Sequence, residues 1–358
     1  MTRPARAMVQ TGPETFELQE FTIPDPGDDG AVISVEACGI CGTDLETYRG
    51  SIPLRYPVIP GHEAVGIIEH IGEVAAQRWG LAVGDRVVVP AELACGSCTG
   101  CMAGSACLAS PGTHGFLPTS LSPALWGGFA DTMYLSAASR PIGIDRDIDP
   151  SLAALFNPLG AGFSWAVDAP GLEAGQSIAI LGPGQRGLAC VLAATSLGAP
   201  QIIVTGFGAR DTRKLELART FGADLTIDAQ HEDVARSILD ATDGRGVDVV
   251  VDTTPHATDS IADALAAVTP GGTIVLAGLK GRPIDGFPVD TVAMRRLTLR
   301  GVRAVDQAGF RRAVELIERA PDGLAEMQTH SFALGDAATA IETLASGDGI
   351  AIALRPNG

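Results

Sequence analysis

Lysine is nearly missing from this chain. It occurs only as Lys214 and Lys280 among 358 residues, so arginine supplies almost all the positive charge. Positive charge is itself in short supply: 25 Lys and Arg stand against 42 Asp and Glu, a net charge of −17. A surface of that sign repels phosphate backbones and anionic lipid, which argues against nucleic acid or membrane as a partner. No export leader is expected either. Residues 1–10 hold two arginines and no apolar core. The one apolar, uncharged stretch, 187–209, is broken by Leu197-Gly198-Ala199-Pro200. It reads as a helix followed by a buried strand, not as a membrane span. Internal repeats and low-complexity segments are also missing. A cytoplasmic protein is the expectation.

What is present is a large apolar fraction, 46% of residues. A chain of this length exceeds one ordinary core, so two domains are expected. Residues 1–150 hold short β-branched runs at 31–36, 65–69 and 86–89 between Gly- and Pro-rich turns, and read as mainly β. From residue 151 strands alternate with helices, the pattern of a doubly wound parallel sheet. Strands are expected at 177–181, 202–205, 225–227, 247–251, 273–277 and 297–302. Helices are expected at 212–221, 233–241 and 257–268 between them. Two later helices, 310–317 and 337–344, and a final strand, 349–354, belong to a segment, 303–358, that returns to the first domain. The second domain is then 151–302.

Seven cysteines in a reducing compartment point to metal or burial, not to disulfides. Four of them read Cys95-Gly-Ser-Cys98-Thr-Gly-Cys101-x5-Cys107. Four thiolates that close together make a tetrahedral, structural zinc site. Elsewhere Gly39-Ile40-Cys41-Gly42-Thr43-Asp44 and Gly61-His62-Glu63 are about twenty residues apart. Soft sulfur with imidazole is a zinc pairing. Taken singly, Cys41 reads equally as a small buried hydrophobe and His62 as a satisfied turn histidine. Asp44 can orient the imidazole from behind. Cys38 makes a C-x-x-C with Cys41 and is read as a packed thiol.

Gly182-Pro183-Gly184-Gln185-Arg186-Gly187 follows a buried strand and opens a helix rich in small residues. That context makes it a dinucleotide fingerprint. Gly182 makes the turn, Gly184 admits the pyrophosphate and Gly187 lets helix meet strand. The next strand ends in Gly206, where an NAD site usually has a carboxylate for the ribose 2′-hydroxyl. Arg210, Arg213 and Lys214 follow. A 2′-phosphate can be paired there, which favours NADP over NAD. Alternatively, Arg213 and Lys214 open a solvated helix face that Asp211 caps.

Together these motifs, with Gly84-Asp85-Arg86-Val87 and Pro270-Gly271-Gly272, resemble the zinc-containing medium-chain dehydrogenase/reductase family along nearly the whole chain. The resemblance implies an α/β fold: a GroES-like β-rich catalytic domain and a Rossmann domain. It implies a catalytic zinc held by Cys41 and His62, with Glu63 able to enter its shell. Thr43 would start a proton relay. Thr253, Ala277, Gly278 and Leu279 would lie near the nicotinamide half of NADP or NAD. A small alcohol or carbonyl substrate and a homodimer or homotetramer are implied as well. Three departures stand out. Asn157 occupies the position of the third zinc ligand, usually Glu, Asp or Cys. Glu46 stands where histidine is common. The last gap of the cysteine lobe is two residues shorter than usual. Two rival readings follow: an NADPH-dependent reductase without catalytic zinc, and an inactive dinucleotide-binding regulatory protein.

Overall fold

A computed structural model describes residues 4–103 and 107–357. In chain order the strands are β1 (Ala5–Gly12), β2 (Thr15–Phe21), β3 (Ala31–Ile40), β4 (Ala64–Ile71), β5 (Arg86–Val89), β6 (Thr132–Leu135) and β7 (Ile142–Gly143). Six more follow: β8 (Ile178–Leu181), β9 (Ile202–Gly206), β10 (Leu225–Asp228), β11 (Val247–Asp252), β12 (Val268–Leu276) and β13 (Thr298–Gly301). The last two are β14 (Gln328–Ala333) and β15 (Ala351–Arg355). The chain divides into two compact units, 1–157 with 313–358, and 158–312. Both divisions fall later than the expected 150 and 302, so Asn157 belongs to the first unit.

In the first unit a sheet runs β14-β15-β3-β4-β5-β7, with β6 also on β3, and β1 pairs with β2 as a hairpin. β3 is central, and Val32, Ile33, Val35 and Cys38 are fully buried. Each such Val or Ile stabilises the fold by about 1.5–3 kcal/mol relative to exposure. The register positions the chemistry. β3 and β4 are antiparallel, with Cys38 opposite Ala64. Cys41 lies just past the end of one strand and His62-Glu63 just before the start of the other. Adjacent strands run about 5 Å apart, so these residues must meet.

The second unit has six parallel strands in the order β10-β9-β8-β11-β12-β13. This is the doubly wound order, and its switch point lies between β8 and β11. The inner strands β8, β9 and β11 are buried and rich in β-branched residues, as strands covered on both faces require. β12 starts five residues earlier than expected. Val268 leaves the helix Asp259–Ala267 directly into the strand, which then passes through Gly271 at φ +84°. The helix Gln185–Leu197 packs closely on the helical segment before β8: a Cβ on Gly162 would strike the Ala189 carbonyl. Among the described residues no helix is long and apolar enough to cross a membrane.

Candidate active site and dinucleotide turn

The first cluster grows from a helix start. Cys41 is the N-cap of the short helix Gly42–Tyr48, and its Sγ accepts from Thr43 N at 3.3 Å. Asp44 completes a capping box: its Oδ2 accepts from Cys41 N at 2.9 Å. Its other oxygen, Oδ1, lies 3.2 Å from His62 Nδ1. That leaves His62 Nε2 facing Cys41 Sγ, 3.2 Å away. The Glu63 carboxylate joins them, so donor atoms of Cys41, His62 and Glu63 lie within 4.8 Å of one another, all buried. Burial disfavours a charged imidazole, yet the Asp44 carboxylate and the Cys41 sulfur raise the His62 pKa well above its ordinary value.

The packing around this cluster is tight. A Cβ on Gly39 would strike the Glu63 carboxylate, and one on Gly128 would come within 2.7 Å of Cys38 Sγ. Cys38 is fully buried, and burial pushes its thiol pKa well up, as befits a packed thiol. Phe116 lies 5.4 Å from the His62 ring, a contact that no spacing in the sequence signals. Asn157 is buried at the start of the helix Phe156–Gly162. Thr43 and Glu46 are half-buried on the Cys41-capped helix.

The sulfurs of Cys95, Cys98, Cys101 and Cys107 also lie within 4.8 Å of one another. Cys95 and Cys101 are 3.9 Å apart, as are Cys98 and Cys107. A zinc tetrahedron with Zn–S near 2.3 Å has edges of about 3.8 Å. Backbone N–H groups point at the sulfurs: Cys101 N and Leu108 N both donate to Cys98 Sγ, at 3.4 and 3.3 Å. Those bonds bring the Cys98 thiol down to about 6, whereas desolvation lifts Cys101 to about 11. The short x5 gap therefore still closes the set. The first cluster fits zinc as well. Tetrahedral zinc between sulfur and nitrogen sets them about 3.5 Å apart, close to the separation found.

In the second unit the fingerprint forms the tight turn between β8 and the helix Gln185–Leu197, with Gly184 as N-cap. Gly182 has φ +97°, and a Cβ there would lie 2.8 Å from Thr254 Cγ2. A Cβ on Gly187 would strike the Gly182 carbonyl, while Gly184 faces open space. Thr253 Oγ1 donates to Leu181 O and Gly182 O at 2.9 and 3.0 Å, locking the turn. Ala277 N and Gly278 N both donate to Asp252 O, and Leu279 beside them is 74% exposed.

At the end of β9, Gly206 is packed against Asp211 and Leu215. Asp211 does not cap the helix Thr212–Thr220 through its side chain. Its Oδ2 accepts from Phe207 N at 3.0 Å and its Oδ1 pairs with Lys214 at 2.9 Å. Lys214 is therefore already paired with a carboxylate of its own helix start. Arg210 and Arg213 remain exposed. Trp126 belongs to the core: it is 6% exposed and its Nε1 donates to Leu121 O.

Residues 27–141 match the alcohol dehydrogenase GroES-like domain, and residues 187–319 match the zinc-binding dehydrogenase domain. A probable alcohol dehydrogenase of Mycobacterium tuberculosis is 41% identical over 318 residues, covering 87% of this chain and 86% of that one. The chain belongs to the zinc-containing medium-chain dehydrogenase/reductase family. Within this family, the erythritol/L-threitol dehydrogenase of Mycolicibacterium smegmatis is 30% identical over 366 residues, 98% of this chain and 97% of that one. A protein of Sinorhizobium meliloti, described as a zinc-binding dehydrogenase and solved with NADP bound, superposes with a TM-score of 0.86. It is 28% identical and covers 99% of this chain and 100% of that one. Family membership makes the chain a zinc- and NAD(P)-dependent oxidoreductase.

Proposed function

We infer that the chain oxidises a small alcohol with NADP, using a zinc site built from Cys41, His62 and Glu63. The observation that carries this reading is the buried thiol–imidazole–carboxylate cluster, with Cys41 Sγ 3.2 Å from His62 Nε2. Asn157 offers a neutral amide oxygen as a further donor, weaker than a carboxylate. The four-cysteine lobe holds a second, structural zinc. Zinc held by Cys41 and His62 would supply a Lewis acid for an alcohol hydroxyl, and a bound nicotinamide would supply the hydride acceptor.

The chain's own residues do the rest. Asp44 holds the imidazole so that Nε2 faces the site. Thr43, two residues beyond Cys41, takes the hydroxyl proton and passes it outward. Gly182, Gly184 and Gly187 form the turn that receives the pyrophosphate at a helix N-terminus. Gly206 leaves room at the ribose, and Arg210 pairs a 2′-phosphate. Thr253, Ala277, Gly278 and Leu279 border the nicotinamide half. A polyol or amino alcohol suits Glu46, and the erythritol/L-threitol relative supports a polyol. The exposed edge strand β13, with the exposed Val289 and Met294 nearby in sequence, supports a homodimer or homotetramer. A cytoplasmic setting suits the free thiols. The zinc-free reductase and the inactive regulatory protein are not favoured, because donor set and dinucleotide turn are both intact.

Steady-state rates with a polyol and amino-alcohol panel test the reading. Thr43→Val is expected to lose most turnover while its Kd for NADPH stays within about twofold. Undiminished turnover would remove Thr43 from the proton path. Wild-type activity with NAD exceeding that with NADP would overturn the cofactor preference.

A further inference from the structure

Both lysines of this chain are drawn into the protein beside aspartates. The Lys280 side chain is 11% exposed, and its Nζ lies 2.7 Å from Oδ2 of Asp252, whose side chain is 1% exposed. The same ammonium donates to Thr254 O at 2.6 Å, Thr254 Oγ1 at 3.0 Å and Ser260 Oγ at 3.1 Å. Asp252 accepts in turn from Thr254 N at 3.0 Å, Thr254 Oγ1 at 2.6 Å and Ser260 Oγ at 2.9 Å. Four acceptors converge on one nitrogen. A compact ammonium suits that arrangement and a flat guanidinium does not. In a chain that otherwise uses arginine, lysine stands where a point charge is needed.

The network ties together two loops. One leaves β11 at Asp252 and continues through Thr254. The other leaves β12 and runs from Ala277 to Lys280. Their backbones touch: a Cβ on Gly278 would strike the Thr254 carbonyl, and His256 N donates to Leu279 O at 3.0 Å. Both loops stand at the carboxyl ends of parallel strands, across the β8–β11 switch from β9. A dinucleotide laid over such a switch has its adenosine half above β8 and β9 and its second half above β11 and β12. A buried ion pair is a poor source of stability, because desolvation offsets the attraction, but it fixes geometry.

We propose that Lys280 is a positioning residue for the nicotinamide half of the dinucleotide. Its ammonium holds the loops 252–254 and 277–280 in the shape that half requires. The proposal rests on the dinucleotide reading above.

The test is calorimetric. Two ligands are titrated: NADPH or NADH, whichever the wild-type chain binds more tightly, and the matching adenosine half, 2′,5′-ADP or ADP. Lys280→Met removes the ammonium but strands the Asp252 carboxylate. Lys280→Met combined with Asp252→Asn removes both charges, and it decides the matter if the single variant fails to fold. The whole dinucleotide is expected to bind about tenfold more weakly or worse, and the adenosine half within about twofold of wild type. An unchanged dinucleotide affinity would overturn the proposal. So would an equal loss for both ligands, which is the mark of a merely structural role. A wild-type chain that binds neither ligand would overturn the dinucleotide reading itself, and this proposal with it.

Discussion

Replacing Asp44 by asparagine keeps the shape of the first site and changes its proton. Asp44 now serves two groups, Cys41 N at 2.9 Å and His62 Nδ1 at 3.2 Å. An imidazole binds metal through Nε2 only when that nitrogen is bare, and an acceptor at Nδ1 keeps the proton there. Asparagine has one acceptor oxygen. If that oxygen stays on Cys41 N, the amide N–H faces Nδ1 and the proton is driven to Nε2. If the amide flips, Cys41 N loses its acceptor and the capping box opens, at about 0.5–2 kcal/mol. Loss of such a partner behind a metal-binding histidine lowers metal affinity by about 10–100-fold. That is about 1.4–2.8 kcal/mol. The assay is zinc release into a competing chelator, in wild type and Asp44→Asn. The four-cysteine lobe serves as an internal reference, since Asp44 does not belong to it. The expected result is one release phase shifted by 10–100-fold and the other unmoved. Two unmoved phases, or both moving together, would refute the reasoning.

Two further outcomes follow from the packing. Gly187→Ala places a methyl against the Gly182 carbonyl. Dinucleotide affinity is expected to fall by at least about tenfold, with about 1–3 kcal/mol of overpacking seen as a lower Tm; an unchanged Kd would deny that the turn carries the pyrophosphate. His114 is fully buried, between Trp126 O at 3.2 Å and Ser139 Oγ at 3.0 Å, and burial lowers its pKa to about 4. Its folded pKa lies below the unfolded value, so its contribution is complete above about pH 6.5 and is lost as pH falls through about 4. Unfolding free energies of wild type and His114→Gln, read from denaturant titrations, are expected to converge by up to about 3 kcal/mol on acidification. Parallel pH curves would exclude His114 as a source of acid lability.

The alternating half of the chain was legible because β-branched runs and helical periods alternate there at regular intervals. The dinucleotide turn was legible because three glycines follow a buried strand. The strand β14 and the helix Val289–Arg295 were not anticipated. β14 mixes polar and apolar residues, Gln328 to Ala333, and the helix buries none of its side chains fully, so neither shows a strong period. The join between the two units is not marked in the sequence, because the segment from Phe156 onward is mostly apolar and buried. Cys41, His62 and Glu63 were legible as residue types, but their meeting depends on the β3–β4 register, which only the fold supplies. The Asp252–Lys280 network was invisible for the same reason. Its members come from a strand end, a helix start and a separate loop, and an aspartate or a lysine beside a turn ordinarily reads as solvated surface. The pairing of Lys214 with Asp211, three residues back, was not anticipated, because the same spacing also suits a solvated helix face or a phosphate contact.

The central claim is that Cys41 helps to hold a zinc ion distinct from that of the cysteine lobe. Elemental analysis of purified wild type and Cys41→Ala, each after dialysis against zinc-free buffer, tests it most directly. The account expects about two zinc ions per wild-type chain and about one in the variant, with alcohol oxidation abolished in the variant. Equal zinc in both proteins would contradict it and leave the lobe as the only metal site.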